Sequence, residues 1–155
     1  QVTNSNSNNE KILFNSKKVK VSSSSSRKAE KGNSYNPELA FDGNSRTAWC
    51  EGVKGAGKGQ WIVFDFDEEV LLKEVVIEPG YFKTDELWRK NNRLASANFK
   101  FSDGTTRSFD FPNEMKEQKI DVGSVKTKSV MITIKDIYRG QSDSIDTLIS
   151  EVLII

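Results

Sequence analysis

Apolar and polar positions alternate in short runs along most of this chain, the period expected of half-buried β-strands. The runs at 61–66 (Trp-Ile-Val-Phe-Asp-Phe) and 70–77 (Val-Leu-Leu-Lys-Glu-Val-Val-Ile) come first, then 98–102 and 105–111 on either side of Asp103-Gly104. Asp-Gly between two alternating runs predicts a hairpin, and a type I′ turn there would need positive φ at both residues. Further strands are predicted at 118–122, 129–134 and 148–155, and an earlier one at 17–21. No long segment carries apolar residues at helical spacing; Pro37-Glu38-Leu39-Ala40 fits one short helical turn. Many short strands with close turn signals predict an all-β fold, a sandwich or barrel.

Two segments break this rhythm. Residues 51–59 hold glycines at 52, 55, 57 and 59, and residues 80–94 crowd aromatic and polar groups without a strand pattern. Loops at the rim of a rigid sandwich are where binding residues concentrate. Ahead of the strands, residues 1–9 are almost all Asn, Ser and Thr, which bury too little apolar surface to order themselves. The expected organisation is a disordered polar tether over 1–16 and one β domain over 17–155. A polar tether before a β domain suits a surface-displayed or lipid-anchored protein.

Composition removes several functions. The chain of 155 residues carries 23 Lys+Arg and 22 Asp+Glu, a net charge of +1 that gives no general attraction to nucleic acid. No apolar run approaches the ~20 residues of a membrane-spanning helix. There is no histidine, which excludes Ser-His-Asp and Cys-His catalysis and His-containing zinc sites. Cys50 is the only cysteine; it reads as a small buried residue beside Trp49. The segment Gly55-Ala56-Gly57-Lys58-Gly59 lacks the spacing of a phosphate loop, and a strand follows it instead of a helix.

Three groups of residues carry candidate chemistry. Asp42, Thr47 and Glu151 offer side-chain oxygens, and Ala40 and Asn44 offer backbone carbonyls, a hard-oxygen set that suits calcium. The same residues also read as a plain Asp-Gly turn with local hydrogen bonds and an exposed strand glutamate. Tyr81, Trp88, Asn91, Asn92 and Arg93 combine aromatic faces with planar amide and guanidinium donors, the set that binds a sugar ring. Alternatively, Tyr81 and Trp88 plug the end of the sandwich. Tyr138-Arg139-Gly140 precedes the last strand, where Arg139 and Asp143 read either as ligand contacts or as a surface ion pair.

The pattern Asp42-Gly43-Asn44 followed by Thr47 and Trp49, closed by Ile149-Ser150-Glu151-Val152, resembles the galactose-binding-like superfamily, which includes the discoidin (coagulation factor type C) domains. Within it, Trp49-Cys50-Glu51-Gly52, Gly57-Lys58-Gly59-Gln60-Trp61, Pro79-Gly80-Tyr81, Asn91-Asn92-Arg93, Tyr138-Arg139-Gly140 and Asp146 to Glu151 look like the bacterial NADase-type glycan-binding domains. That likeness spans 35–155. It implies a jelly-roll β-sandwich, a structural calcium at the matching positions, carbohydrate recognition and no NADase activity. Sugar-binding relatives often use a histidine, which this chain lacks, so their galactose specificity does not carry over. The expected function is a non-catalytic glycan-binding module of a secreted or surface-exposed bacterial protein, meeting a glycan or glycoconjugate. An adhesin-type module binding a host or cell-surface protein is the alternative, and a two-carboxylate glycosidase a more distant one.

Overall fold

The computed structural model describes residues 19–142 and 146–155. The tether, the start of the first predicted strand and Asp143 lie outside the described residues. The strands are β1 (Val19–Ser23), β2 (Trp49–Cys50), β3 (Trp61–Pro79), β4 (Arg93–Phe101), β5 (Thr106–Asp110), β6 (Gln118–Tyr138) and β7 (Leu148–Ile154), with one short helix, α1 (Asp85–Lys90). The 3-10 turn Pro37–Ala40 stands where the sequence places a helical turn.

Every strand pairing is antiparallel, and β3 and β6 are long enough to serve two layers. Their 61–65 and 129–133 segments pair with each other, with β1 on one side and β4–β5 on the other. Their 70–77 and 118–127 segments pair again, next to β7 and then β2. Between the two stretches, register shifts at Asp65/Val70 and Leu72/Glu74 bend the pair, as bulges do. Hence the sequence runs 61–66 and 70–77 are one strand, as are 118–122 and 129–134. The result is a jelly-roll β-sandwich. Ile62, Phe64, Phe99 and Ile132 from one layer meet Val75, Ile77, Val152 and Ile154 from the other in a single core.

Two local expectations need correction. Of Asp103 and Gly104, only the glycine has positive φ, at 90°. The turn is therefore not type I′. It is a wider loop in which Phe101 N–H donates to the Thr105 carbonyl at 2.9 Å and the Asp103 carboxylate accepts from Thr105 N–H at 2.9 Å. The second correction is α1 inside the 80–94 loop. Thr84 caps it, accepting from Leu87 N–H at 3.0 Å. Asp85 and Glu86 sit in its first turn and Arg89 and Lys90 in its last, complementing the helix dipole.

Candidate loop-end site and cation loop

Four connecting segments converge at one end of the sandwich: the turn after β1, residues 51–60, residues 80–92 and the segment before β7. Each is tied to the next. Arg27 N–H donates to the Cys50 carbonyl, Glu51 N–H to Thr147, Asn92 N–H to Asp146, and Gln141 N–H to Arg89.

The residues expected to face a sugar are mostly built into this frame. Trp88 is 8 % exposed and Tyr81 7 %. The Arg93 guanidinium covers the Trp88 ring at 4.4 Å, and the indole N–H donates to the Pro79 carbonyl at 3.1 Å. Arg93 is itself buried, and its guanidinium reaches the carbonyls of Arg89 at 3.3 Å and Asn91 at 3.2 Å and the Asn113 amide oxygen at 2.9 Å. Asn91 donates to the Leu87 carbonyl, and the Asn92 amide oxygen accepts from Gly140 N–H at 2.8 Å. Tyr138 donates its hydroxyl to the Phe111 carbonyl at 2.6 Å. Trp88 and Tyr81, expected as stacking faces, are thus largely covered, and Asn91, Asn92 and Arg93, expected as donors to a ligand, are engaged in holding the 80–92 loop. Arg139 remains exposed on the rim.

A second set of groups, not singled out in the sequence, stays partly open at the same end. Arg27 bridges Asp146 at 2.7 Å and Glu30 at 2.8 Å, and its guanidinium lies 5.5 Å from the centre of the Tyr35 ring. Tyr35 meets Tyr81 edge-on at 6.5 Å. Beneath them, Glu51 is fully buried, its Oε2 accepting from Thr147 N–H at 2.8 Å. Gly57 has φ +78° and leaves room for nothing more, since a Cβ there would stand 2.2 Å from the Glu51 Cγ. This is how the glycine-rich segment closes over a carboxylate. Burial raises Glu51 to about 7 despite the Thr147 hydrogen bond, with Asp146 adding to the shift. Burial together with Asp146 and Glu51 also pushes the Cys50 thiol far above its ordinary value.

The oxygen-rich loop lies along the side, over β7 and β3. Thr47 donates its hydroxyl to the Asp42 carboxylate at 2.5 Å and stands 3.0 Å from the Asn44 carbonyl and 3.3 Å from that of Leu39. Gly43 N–H donates to Glu151 Oε2 at 2.9 Å, while Glu151 Oε1 is buried without a hydrogen-bond partner. Burial, with Asp42 and Glu78 nearby, raises Glu151 to about 8. The structure therefore brings Asp42, Asn44 and Thr47 to Glu151, with Gly43 bridging 108 positions of sequence to it. Ala40 ends the neighbouring 3-10 turn, fully buried. Leu39 and Glu78 join this neighbourhood without having been singled out. An orphaned carboxylate oxygen beside carboxylate, hydroxyl and carbonyl oxygens is a donor set that fits a hard cation.

A family model described as NAD glycohydrolase translocation F5/8 type C domain matches residues 13–155. The chain belongs to this family. Among curated proteins none matches. Two solved structures with a TM-score of 0.67 are family 32 carbohydrate-binding modules from Clostridium perfringens, each 14 % identical and aligned over 92 % of this chain. One, from NanJ, is in complex with galactose and is covered over 96 % of its length. The other is in complex with GalNAc-β-1,3-galactose and is covered over 98 %. The C-terminal domain of a Bacteroides fragilis chitobiase has a TM-score of 0.65 and 19 % identity, over 90 % of this chain and 93 % of that one. At such identities the likeness establishes the fold.

In this F5/8 type C domain no helix among the described residues is long and apolar enough to cross a membrane. Its loop end presents an ion-pair network against an aromatic ring. Such a surface can accept and donate hydrogen bonds to vicinal hydroxyls while an aromatic face packs on C–H groups. The signal that could have found it is Arg27 standing at the end of a serine run, just before Glu30 and Tyr35.

Proposed function

We propose that this domain is a non-catalytic glycan-binding module of a secreted or surface-exposed bacterial protein, with its ligand at the loop end. The observation that carries this reading is the partly exposed group of Arg27, Glu30, Tyr35 and Asp146, planar polar groups fixed around an aromatic ring. Exposed Arg139 extends the rim. Trp88, Tyr81, Asn91, Asn92, Arg93 and Tyr138 serve the site by holding its loops. The glycan complexes of structurally similar modules support the same ligand class. The ligand is a glycan or glycoconjugate, and affinity per site is low because a small exposed sugar buries little surface.

A structural calcium belongs to this reading. The side chains of Asp42, Thr47 and Glu151, with the carbonyls of Ala40 and Asn44, would hold it and brace the loop against β7. It supplies charge neutralisation and takes no part in chemistry.

The test is a broad glycan array probed with the purified domain, in calcium and after chelation, alongside Arg27→Gln and Arg139→Ala. Binding to a defined glycan class, weakened in both variants at unchanged circular dichroism, is expected. Silence across the array from folded protein overturns the glycan reading in favour of a protein partner. Unchanged binding by both variants overturns the site.

A further inference from the structure

The chain's one thiol stands with two carboxylates at the loop end. Cys50 Sγ, a carboxylate oxygen of Glu51 and one of Asp146 lie within 4.8 Å of one another, and among the described residues no other three acidic or thiol side chains meet so closely. Backbone bonds fix their spacing. Cys50 ends β2 and pairs with Leu148 at the start of β7. Glu51 N–H donates to the Thr147 carbonyl at 3.4 Å, and Thr147 N–H returns a bond to Glu51 Oε2 at 2.8 Å. The ends of two paired strands therefore hold the three groups together.

Glu51 is the group that the protein itself does not answer. It is fully buried, and its Oε1 has no hydrogen-bond partner. A buried carboxylate oxygen of that kind is costly unless a donor or a cation meets it. Gly57 packs against the same carboxylate, where a Cβ would stand 2.9 Å from Oε1, so the side chain has no room to turn that way. The charges point the same way. A thiolate and two carboxylates would carry three negative charges. Arg27, 2.7 Å from Asp146 Oδ2, answers one of them, and the remaining two match a divalent ion.

We propose that Cys50, Glu51 and Asp146 form a site for a thiophilic divalent cation of the zinc class, separate from the calcium loop. Zinc takes thiolate and carboxylate ligands in a tetrahedron, and three protein ligands leave its fourth position to water. The sulfur selects such an ion over calcium and magnesium, which prefer oxygen alone. With bonds of ~2.0–2.3 Å the ion would draw the three groups in by roughly 1 Å. Binding exchanges protons for metal: the Cys50 thiol releases its proton to solvent, and so does Glu51 where it holds one. The ion would tie the end of β2 to the start of β7 beneath Arg27 and Tyr35, whatever ligand the loop end takes.

The test is a cobalt titration of the untagged full chain, reduced with a phosphine. The chain has no histidine, so no imidazole competes. The expected result is a thiolate-to-cobalt charge-transfer band that saturates at about one ion per chain and is abolished by zinc. Cys50→Ser should lack the band. Glu51→Gln and Asp146→Asn, each checked for folding by circular dichroism, should bind cobalt about tenfold or more weakly. Asp42→Asn, in the calcium loop, should bind it as the parent does. No band from the folded parent overturns the site. A band whose midpoint is unchanged in both carboxylate variants also overturns it, leaving an adventitious ion on the thiol only. These two variants decide the matter even if Cys50→Ser fails to fold.

Discussion

Arg93 lies with its guanidinium 4.4 Å from the centre of the Trp88 ring, and the pair closes the loop end from inside. The cation also stands over the last carbonyls of α1, where a positive charge is favoured by the helix dipole. One contact therefore joins the helix, the ring and the start of β4. Gly80 is part of the same junction: at φ +119° a Cβ there would meet Trp88 and Arg93 at under 3 Å.

Trp88→Ala should consequently act on folding before it acts on binding. It removes a large buried ring and the hydrogen bond to Pro79, a loss of about 3–5 kcal/mol for a core aromatic. Urea unfolding should show the midpoint falling by a corresponding amount. A variant that keeps parental stability and loses only glycan binding would return Trp88 to the role of an open platform.

Alternation, hairpin signals and the absence of helical periodicity made the all-β class legible, because strand faces write themselves directly into sequence. Legibility failed where partners are distant. The link of Arg27 to Asp146 spans 119 positions, and a serine run hides Arg27 in what reads as a polar loop. Glu78 lies just beyond the strand run read at 70–77, and only the β3–β7 register sets it against Glu151. For Trp88 and Tyr81, composition gives the same aromatic-plus-amide set for a platform as for a plug, and burial alone distinguishes them. The oxygen-rich loop was more readable, since Asp42, Asn44 and Thr47 lie within one tight turn and share one hydroxyl's neighbourhood.

Glu51 predicts a pH dependence with a definite sign. In the unfolded chain its carboxyl loses its proton near 4.5, whereas burial keeps it protonated to about 7 in the fold. The folded state binds more protons across that window, so this group's contribution is fully present below about 4.5 and is lost as pH rises through about 7. Asp146 reinforces the shift, while Arg27 and the Thr147 N–H oppose it. Glu51→Gln is neutral throughout and should flatten the fall. Its stability relative to the parent should rise by about 2–3 kcal/mol between those limits, measured by urea unfolding at a series of pH values. Parallel curves for the two proteins would show that Glu51 ionises freely in the fold.

Removal of calcium should loosen a defined part of the molecule. The loop from Phe41 to Thr47 is fastened to the sheets through Gly43 on Glu151 and Ser45 on Glu78, and both anchors are carboxylates that burial disfavours in charged form. An ion held by Asp42 and Glu151 would turn the Glu151 charge into an asset, and any ligand that binds only the folded state stabilises it by mass action. At a hundredfold excess over Kd the gain is about 2.7 kcal/mol. Calorimetric scans should therefore show a higher Tm in calcium than in chelator, and Asp42→Asn should shrink the difference. Magnesium should substitute poorly, because it demands a near-ideal octahedron that an irregular set of loop carbonyls and strand carboxylates does not offer. Coincident melting in calcium and chelator would mean that the loop is held by its hydrogen bonds alone, with Glu151 keeping its proton in place of an ion.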